Sequence, residues 1–216
     1  MKPTDKTFSI GVDLVIPKLT KVKKYLHKDF DNRYNFPPHV GITITAIDPK
    51  YLENAFNYCK QYFKDIKSFR TKVSPLSYKV SDNNPLETFI DLKIVGPKLY
   101  KIHKETTIFL SDNYKRGYVR EKDFERVKKG LVKGVKSKNI KKYGFAYCMG
   151  LYNPHITVGV LQTNILTPEL KGRIKSDLKG IEGGEVEIKN IHIIYHTSPK
   201  VQTESKVIKR FDIVLP

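Results

Sequence analysis

The sequence predicts an α+β fold, and three observations support this class. Segments with the apolar alternation of β-strands are interspersed with segments that have the spacing of amphipathic helices. Extended segments also occur as adjacent pairs, which a purely parallel α/β sheet would not contain. The chain has 216 residues, 39% hydrophobic and 11% aromatic, which is enough apolar material for a buried core. This composition excludes a disordered basic chain.

The predicted elements follow from local patterns along the chain. Alternating, β-branched runs predict strands at residues 7–16, 39–47, 69–80, 87–95, 155–161, 185–197 and 205–215. Apolar residues on one stripe predict helices at residues 18–30, 50–64, 98–110 and 167–179. We expect Pro17 to end the first strand, the run Asn35-Phe36-Pro37-Pro38 to interrupt the chain, and residues 81–85 to form a turn. Thr167 and Pro168 mark the start of the last helix. The two closing strands are expected to be antiparallel neighbours.

The charge of the chain indicates an anionic partner, or else a biased composition. Forty Lys and Arg residues face 22 Asp and Glu residues, so the formal net charge is +18. Clustered cations gain affinity for nucleic acid by releasing phosphate counterions. The alternative is drift in an AT-rich genome, because Lys, Asn and Ile are all abundant in this chain. Composition alone leaves both explanations open.

Half of the net charge lies in one stretch, residues 113–145. Between Tyr114 and Tyr143 there are twelve Lys and Arg residues and three acidic residues, a local net charge of +9. Weak apolar periodicity and several glycines predict a loop that could include one short helix. Aromatic residues such as Tyr118 and Phe124 alternate with the cations, a pattern that suits single-stranded RNA. A solvated charged loop is the alternative.

The cysteines and the length of the apolar runs indicate the cellular location expected for the protein. Cys59 and Cys148 are far apart and form no C-x-x-C or zinc-ligand spacing, so a reducing, cytoplasmic location is expected. No apolar run approaches the roughly 20 residues of a membrane span. The polar residues near the N-terminus also exclude a signal-peptide core.

Two predicted strands begin in the same way, with an aromatic residue, a proline and a histidine. The first reads Phe36-Pro37-Pro38-His39-Val40-Gly41-Ile42-Thr43, and the second reads Tyr152-Asn153-Pro154-His155-Ile156-Thr157-Val158. Proline is common at the first position of a strand because no ladder donor is needed there. His155 and Thr157 share one face of their strand, about 6.6 Å apart, so an imidazole and a hydroxyl can contact one phosphoryl group. Each histidine could instead merely begin a strand, but the repetition favours a functional role.

The paired motifs resemble those of the 2H phosphoesterase superfamily. That superfamily includes the so-called 2′-5′ RNA ligases, 2′,3′-cyclic phosphodiesterases and enzymes that trim RNA 3′ ends, and its signature is two His-apolar-(Thr/Ser)-apolar motifs. The segment from His155 to Val158 matches fully, whereas the segment from His39 to Ile42 has Gly41 where Thr or Ser is expected. The order of elements is similar over nearly the whole chain, except for the basic stretch, which resembles an insertion. The resemblance implies a single domain, residues 1–216, with two pseudo-symmetric lobes. Each lobe would be an antiparallel sheet with helices outside, around a central groove.

The resemblance also implies a function and a mechanism. The expected activity is that of a metal-independent phosphodiesterase acting on RNA ends or small oligonucleotides with a 2′,3′-cyclic phosphate or a 2′-5′ linkage. His39 and His155 would act as general acid and general base, in an order left open, and Thr157 would hold the phosphoryl group. No cofactor or metal is expected, because the sequence has no carboxylate cluster to bind one. The expected partner is RNA, guided by the basic stretch, with no membrane association and a monomeric chain.

Gly41 leaves three interpretations open, because it removes one of the expected hydroxyl groups. The site works with one hydroxyl at some cost in rate. Alternatively, Thr43 reaches in, if the strand bulges at Gly41. In the third case the protein is a non-catalytic or weakly active RNA-binding protein on a degenerate 2H scaffold. Gly41 could also let a base or a ribose approach the backbone closely.

Two tyrosines are further candidates for the site, and two other histidines are not. Tyr152 is expected to line the groove, and Tyr195 is expected to stack on or hydrogen-bond to substrate, unless it simply packs in its strand. His192 is interpreted as a surface residue of a strand. His103 lies in a predicted helix without a visible partner, and no function is expected for it.

Overall fold

The computed structural model describes residues 1–29, 37–81, 84–163, 166–197 and 206–216. Asn35 and Phe36 of the predicted chain break, the centre of the predicted turn at 82–83, and the residues between the two closing strands lie outside the described residues.

The structure consists of one large sheet with helices packed on it and a smaller attached unit. The strands are β1 (Lys2–Thr4), β2 (Lys6–Asp13), β3 (His39–Thr45), β4 (Phe69–Val80), β5 (Thr88–Val95), β6 (Tyr118–Arg120), β7 (His155–Leu161), β8 (Glu185–Ile188), β9 (Asn190–Thr197) and β10 (Val207–Val214). The helices are α1 (Pro17–Asp29), α2 (Leu52–Lys64), α3 (Pro97–Asn113), α4 (Glu121–Lys128), α5 (Gly134–Tyr143) and α6 (Pro168–Asp177), and short 3₁₀ turns occupy Pro49–Tyr51 and Met149–Leu151. None of the helices in the described ranges is long and apolar enough to cross a membrane.

The large sheet has eight strands in the order β10-β9-β2-β3-β7-β5-β4-β8, and each neighbouring pair is antiparallel. The α+β prediction is therefore confirmed. The sheet has two four-stranded halves, which meet where β3 pairs with β7, with Val40 and Ile156 as register partners. The halves thus form one continuous sheet, and its central strands are the two that begin with a Pro-His motif.

One face of the sheet carries the core. Phe8, Ile10 and Val12 alternate along β2, and all three are fully buried. They join a cluster with apolar residues of α1, α2, α3 and α6, such as Leu26 and Phe56. Because side chains alternate between the faces of a strand, the polar residues between these core positions project to the opposite face of the sheet.

Two strand predictions need correction. The strand β2 ends at Asp13, and Pro17 begins α1 instead of ending a strand, as suits a residue without an N–H at the first helical position. The run predicted as one strand at 185–197 forms two strands in different halves of the sheet. β8 pairs with β4, whereas β9 pairs with β2 and β10. The apolar positions change phase between Ile188 and Ile191, and this shift is a local sign of the change of partner. The predicted antiparallel pairing of β9 with β10 is confirmed.

The basic stretch is an ordered unit and not a loop. It forms β6, α4 and α5 around a small second core of Val119, Val132, Ile140 and Ala146. Its strand β6 pairs in parallel with β1 at the N-terminus, which the sequence did not predict. A buried ion pair between Arg120 and Asp123 stabilises the start of α4. Polar anchors of this kind carry no hydrophobic periodicity, so the local pattern was too weak to predict the two helices.

Candidate active site

The junction of β3 and β7 brings the two histidine motifs onto one face of the sheet. The pairing of Val40 with Ile156 places His39 opposite Thr157 and Gly41 opposite His155. Residues that lie directly opposite each other in an antiparallel pair project to the same face. His39 and His155 are then diagonal neighbours, a relationship that separates backbones by about 7–8 Å. This spacing leaves room for one phosphoryl group between the two imidazoles.

Both histidine rings are oriented by the same backbone contact. The Nδ1–H of His39 donates to the carbonyl oxygen of Pro37 over 2.9 Å, and the Nδ1–H of His155 donates to that of Asn153 over 2.7 Å. In each case the acceptor lies two residues before the histidine, on the far side of a proline. Because a carbonyl can only accept, Nδ1 carries the proton, and Nε2 is the basic atom of the neutral ring.

The surroundings of the two histidines differ. Burial lowers the pKa of His39, and the nearby His192 acts in the same direction, while the bond to Pro37 partly opposes both effects. His39 is therefore neutral at pH 7. His155 is exposed to solvent. The two rings thus share the same backbone contact but differ in exposure.

A carboxyl group lies beside the second motif. Thr157 is 6% exposed and lies opposite Asp91 of β5. Burial raises the pKa of Asp91, whereas the charge of His155 and a hydrogen bond with Thr157 lower it. No local pattern selects Asp91, because its position depends on β5 lying next to β7.

The face of the sheet that carries His39 and His155 is called the groove below. Thr43 does not face the groove, so its predicted role in binding substrate is wrong. The strand does bulge, because Ile10 pairs with Thr43 while the next residue, Gly11, pairs with Gly41. The extra residue, Ile42, reverses the alternation beyond Gly41. Thr43 is therefore 1% exposed on the core side, where its hydroxyl lies 2.6 Å from the hydroxyl of Thr106. The bulge that was expected to turn Thr43 inward turns it away.

Tyr152 links the two histidine motifs through a hydrogen bond. Its hydroxyl donates to the carbonyl oxygen of Gly41 over 3.0 Å, and its ring stacks on His103 with the centroids 3.8 Å apart. Burial raises its pKa, so the phenol stays protonated. Since the hydroxyl is engaged by the protein, Tyr152 acts as a positioning residue.

His103 also links the segments that contain the two motifs, through hydrogen bonds to the backbone. Its Nδ1–H donates to the carbonyl oxygen of Ile42 over 2.6 Å, and its Nε2 accepts from the backbone N–H of Met149 over 2.9 Å. Burial lowers its pKa to about 4, so the ring is neutral and both nitrogens are used. His103 thereby joins the bulge of β3 to the turn before the second motif. Its partners are backbone groups of distant segments, for which the sequence contains no signal.

Tyr195 is a core residue and does not contact the groove. It is 5% exposed and lies opposite Phe8, in the cluster that faces the helices. The alternation of β9 places it on the same face as Ile191 and Ile193. The prediction that Tyr195 contacts substrate is therefore wrong, and the alternative of simple packing is correct.

A third histidine lies beside His39. His192 is 7% exposed, so its interpretation as a surface residue is wrong. Its Nδ1 lies 3.1 Å from Oδ1 of Asp13, and the other oxygen of Asp13 accepts from Nη2 of Arg210 over 2.5 Å. The ring centroids of His39 and His192 are 6.5 Å apart. Asp13 also lies directly opposite His39 in the pairing of β2 with β3.

Comparison with known proteins identifies the fold. No protein-family model and no curated protein sequence matches the chain. The apo structure of LigT from E. coli, however, matches with a TM-score of 0.50 at 8% identity, over 97% of this chain and 98% of LigT. The chain has the fold of the 2H phosphoesterases. Usb1 of Kluyveromyces marxianus also matches (TM-score 0.49, 12% identity, 95% of this chain and 98% of Usb1), as does the structure of a phosphoesterase (0.46, 9%, 97% and 98%).

The two central strands of this chain, β3 and β7, each begin with a histidine, and their pairing places both histidines on one face of the sheet. The likeness concerns the fold, so the chemistry is argued from the site itself. Two oriented imidazoles and one hydroxyl on a common face can transfer protons to and from a phosphoryl group held between them.

Proposed function

We propose that the protein is a metal-independent phosphodiesterase that acts on RNA ends or small oligonucleotides with a 2′,3′-cyclic phosphate or a 2′-5′ linkage. One observation carries this proposal. Across the junction of β3 and β7, His39 and His155 face the same groove, and each has its Nδ1–H bound to the backbone. This arrangement presents two Nε2 atoms to one substrate, which is what acid–base catalysis at phosphorus needs.

The proposed reaction is a hydrolysis with two proton transfers, one from water and one to the ribose oxygen that leaves. One imidazole takes a proton from water through Nε2 as the water oxygen bonds to phosphorus. The second imidazole gives a proton to the ribose oxygen as the bond from phosphorus to that oxygen breaks. A cyclic phosphate thus becomes a phosphate monoester with a free neighbouring hydroxyl. A second transfer between the rings and solvent restores the starting protonation.

The difference in burial supports one assignment of the two roles. His39 is neutral at pH 7 because burial lowers its pKa, so it can accept a proton from water. His155 is exposed and has the carboxyl of Asp91 nearby, which would attract a positive charge on its ring. We therefore assign His39 as the general base and His155 as the general acid for hydrolysis.

The substrate class is argued from the shape and charge of the surface. Exposed cations cover the basic unit of β6, α4 and α5, including Lys128, Lys133, Lys138 and Lys141. Such a surface attracts a polyanion and would guide an RNA chain toward the groove. Strand β6 of the basic unit pairs with β1. The next strand, β2, contains Asp13, which lies opposite His39.

The test is an assay in the presence of EDTA. The substrates are a 2′,3′-cyclic mononucleotide, an RNA with a cyclic-phosphate end and 2′-5′ oligoadenylate. His39→Ala and His155→Ala should each remove most of the activity, whereas the control His27→Ala, on the exposed side of α1, should not. Hydrolysis that survives both active-site substitutions would contradict the two-histidine mechanism.

A non-catalytic RNA-binding protein is the second candidate, and Gly41 favours it. The first motif provides no hydroxyl to the groove, and the bulge removes Thr43 as a substitute. If the wild-type protein turns over none of the substrates but binds RNA in a salt-sensitive way, this second candidate is the correct one.

A further inference from the structure

Four residues from four strands form one row across the floor of the groove. The pairings of β9 with β2 and of β2 with β3 align His192, Gly11 and Gly41, and the junction of β3 with β7 adds His155. All four positions project to the same face of the sheet. Because the two middle positions, Gly11 and Gly41, are glycines, no side chain of this row lies between His192 and His155.

The imidazole of His192 occupies the space above Gly11. A Cβ atom at Gly11 would lie 2.5 Å from Nε2 and 2.9 Å from Cε1 of His192, so only glycine leaves the ring in this position. The ring therefore extends from β9 over Gly11 of β2, and its centroid lies 6.5 Å from that of His39 on β3. Above Gly41, by contrast, a Cβ atom would meet nothing within 4 Å. The open space where the first motif lacks its hydroxyl thus lies next to His192.

Asp13 and Arg210 hold this ring in place. His192 has the largest effect on Asp13 and holds the pKa of that carboxyl well below its usual range, with Arg210 adding to it against the cost of burial. The carboxylate is thus ionised, with one oxygen 3.1 Å from Nδ1 of His192 and the other accepting from Nη2 of Arg210. With Nδ1 facing Asp13, the ring nitrogen that is left to bind a ligand is Nε2.

We propose that His192 binds a phosphoryl oxygen of the substrate in the space above Gly41, in place of the hydroxyl that the first motif lacks. The identity of the ligand as a phosphodiester rests on the proposed function. The groups that face His192 are Asp13 from β2, His39 from β3, and Arg210 and Asp212 from β10. Arg210 offsets the charge of Asp13, and a hydrogen bond from a charged donor to phosphate is stronger than the one from a neutral hydroxyl.

The test measures binding of inorganic phosphate by titration, in wild type, His192→Ala, Gly41→Ser and the double variant. We expect His192→Ala to weaken phosphate binding about 10- to 150-fold, because the variant loses a hydrogen bond to a charged group. Gly41→Ser fits the open space and restores a hydroxyl, so the effect of His192→Ala should be several times smaller in that background. His27→Ala is the control.

Folding is verified by thermal unfolding of each variant. Asp13 keeps Arg210 as its partner when His192 is removed, so the substitution leaves no unpaired carboxylate. The proposal is overturned if His192→Ala leaves phosphate affinity unchanged, or if wild type shows no measurable phosphate binding. It is also overturned if His192→Ala lowers phosphate affinity equally in wild type and in the Gly41→Ser background. Catalysis that depends on His39 and His155 but not on His192 would overturn this inference alone. Binding that depends on His192 without turnover by wild type would overturn only the proposed function.

Discussion

The hydroxyl of Tyr152 donates a hydrogen bond to the carbonyl oxygen of Gly41, so the segment before the second motif holds the backbone of the first. The donor lies three residues before His155, and the acceptor lies two residues after His39. Within the described ranges, the register of the two halves at their junction is given by one pair of partners, Val40 and Ile156. This bond across the junction therefore contributes to the relative position of the two histidines.

Removal of the Tyr152 hydroxyl should reduce turnover more than substrate binding. In Tyr152→Phe the ring can still stack on His103, but the Gly41 carbonyl loses its donor. We expect kcat to fall several-fold with KM little changed, and the free energy of unfolding to fall by about 1 kcal/mol. Steady-state kinetics and urea denaturation measure the two effects. Tyr100→Phe, whose ring contacts Tyr152 from a more exposed position, is the control. An unchanged kcat in Tyr152→Phe would show that this bond does not position the histidines.

Acid should destabilise the protein through His103. Its pKa is lowered to about 4 in the folded state, below the value of about 6.5 for an unfolded chain. The unfolded state therefore binds the proton first, and stability falls as the pH decreases from 6.5 to 4, by about 3 kcal/mol from this residue. Above pH 6.5 the ring is neutral in both states, and this contribution is absent.

The variant His103→Gln tests this assignment. Gln cannot titrate, so the free energy of unfolding should depend less steeply on pH between 6.5 and 4, although stability at pH 7 falls because two backbone hydrogen bonds are weakened. Urea denaturation across this range gives the slope. The same slope in wild type and in His103→Gln would mean that the titrating group is another one.

Neutralising Asp91 should stabilise the fold at neutral pH. Burial raises the pKa of this carboxyl in the folded state, so the unfolded chain releases the proton at lower pH, and stability decreases as the pH rises through the interval between the two values. Asp91→Asn removes this loss. We expect the variant to unfold at a higher temperature than wild type at pH 7, with no such gain near pH 3. Asp112→Asn, at an exposed position of α3, is the control. A lower unfolding temperature at pH 7 would contradict the prediction.

The exposed lysines of α5 should govern affinity for RNA but not for a mononucleotide. Deletion of the basic unit would remove β6, the strand with which β1 pairs, so substitution is the cleaner test. In the triple variant Lys138→Ala, Lys141→Ala and Lys142→Ala, we expect weaker binding of a single-stranded RNA and a smaller dependence of that binding on salt. Hydrolysis of a cyclic mononucleotide should be unchanged. An unaltered RNA affinity and salt dependence would show that these cations do not contact RNA.

Local patterns in the sequence predicted the central strands and the histidines at their ends. His39 and His155 could be selected because a repeated Pro-His sequence before a β-branched run needs no knowledge of pairing. His192 could not be selected in this way, since its role depends on β9 lying next to β2 and on Gly11 leaving space for the ring. The orientation of Thr43 likewise depends on a bulge that only the pairing of β2 with β3 defines. The residues that were missed are therefore those whose position depends on strand order.

The pH dependence of kcat/KM for hydrolysis of a 2′,3′-cyclic nucleotide, in wild type, His39→Ala and His155→Ala, tests the central claim most directly. We predict a bell-shaped profile for wild type, whose acid limb lies below pH 6.5 because burial lowers the pKa of His39. Each substitution should reduce the maximum by about 10²–10⁴-fold, and His39→Ala should abolish the acid limb. A wild-type profile that is flat between pH 5 and 9, or an acid limb that persists in His39→Ala, would contradict the account.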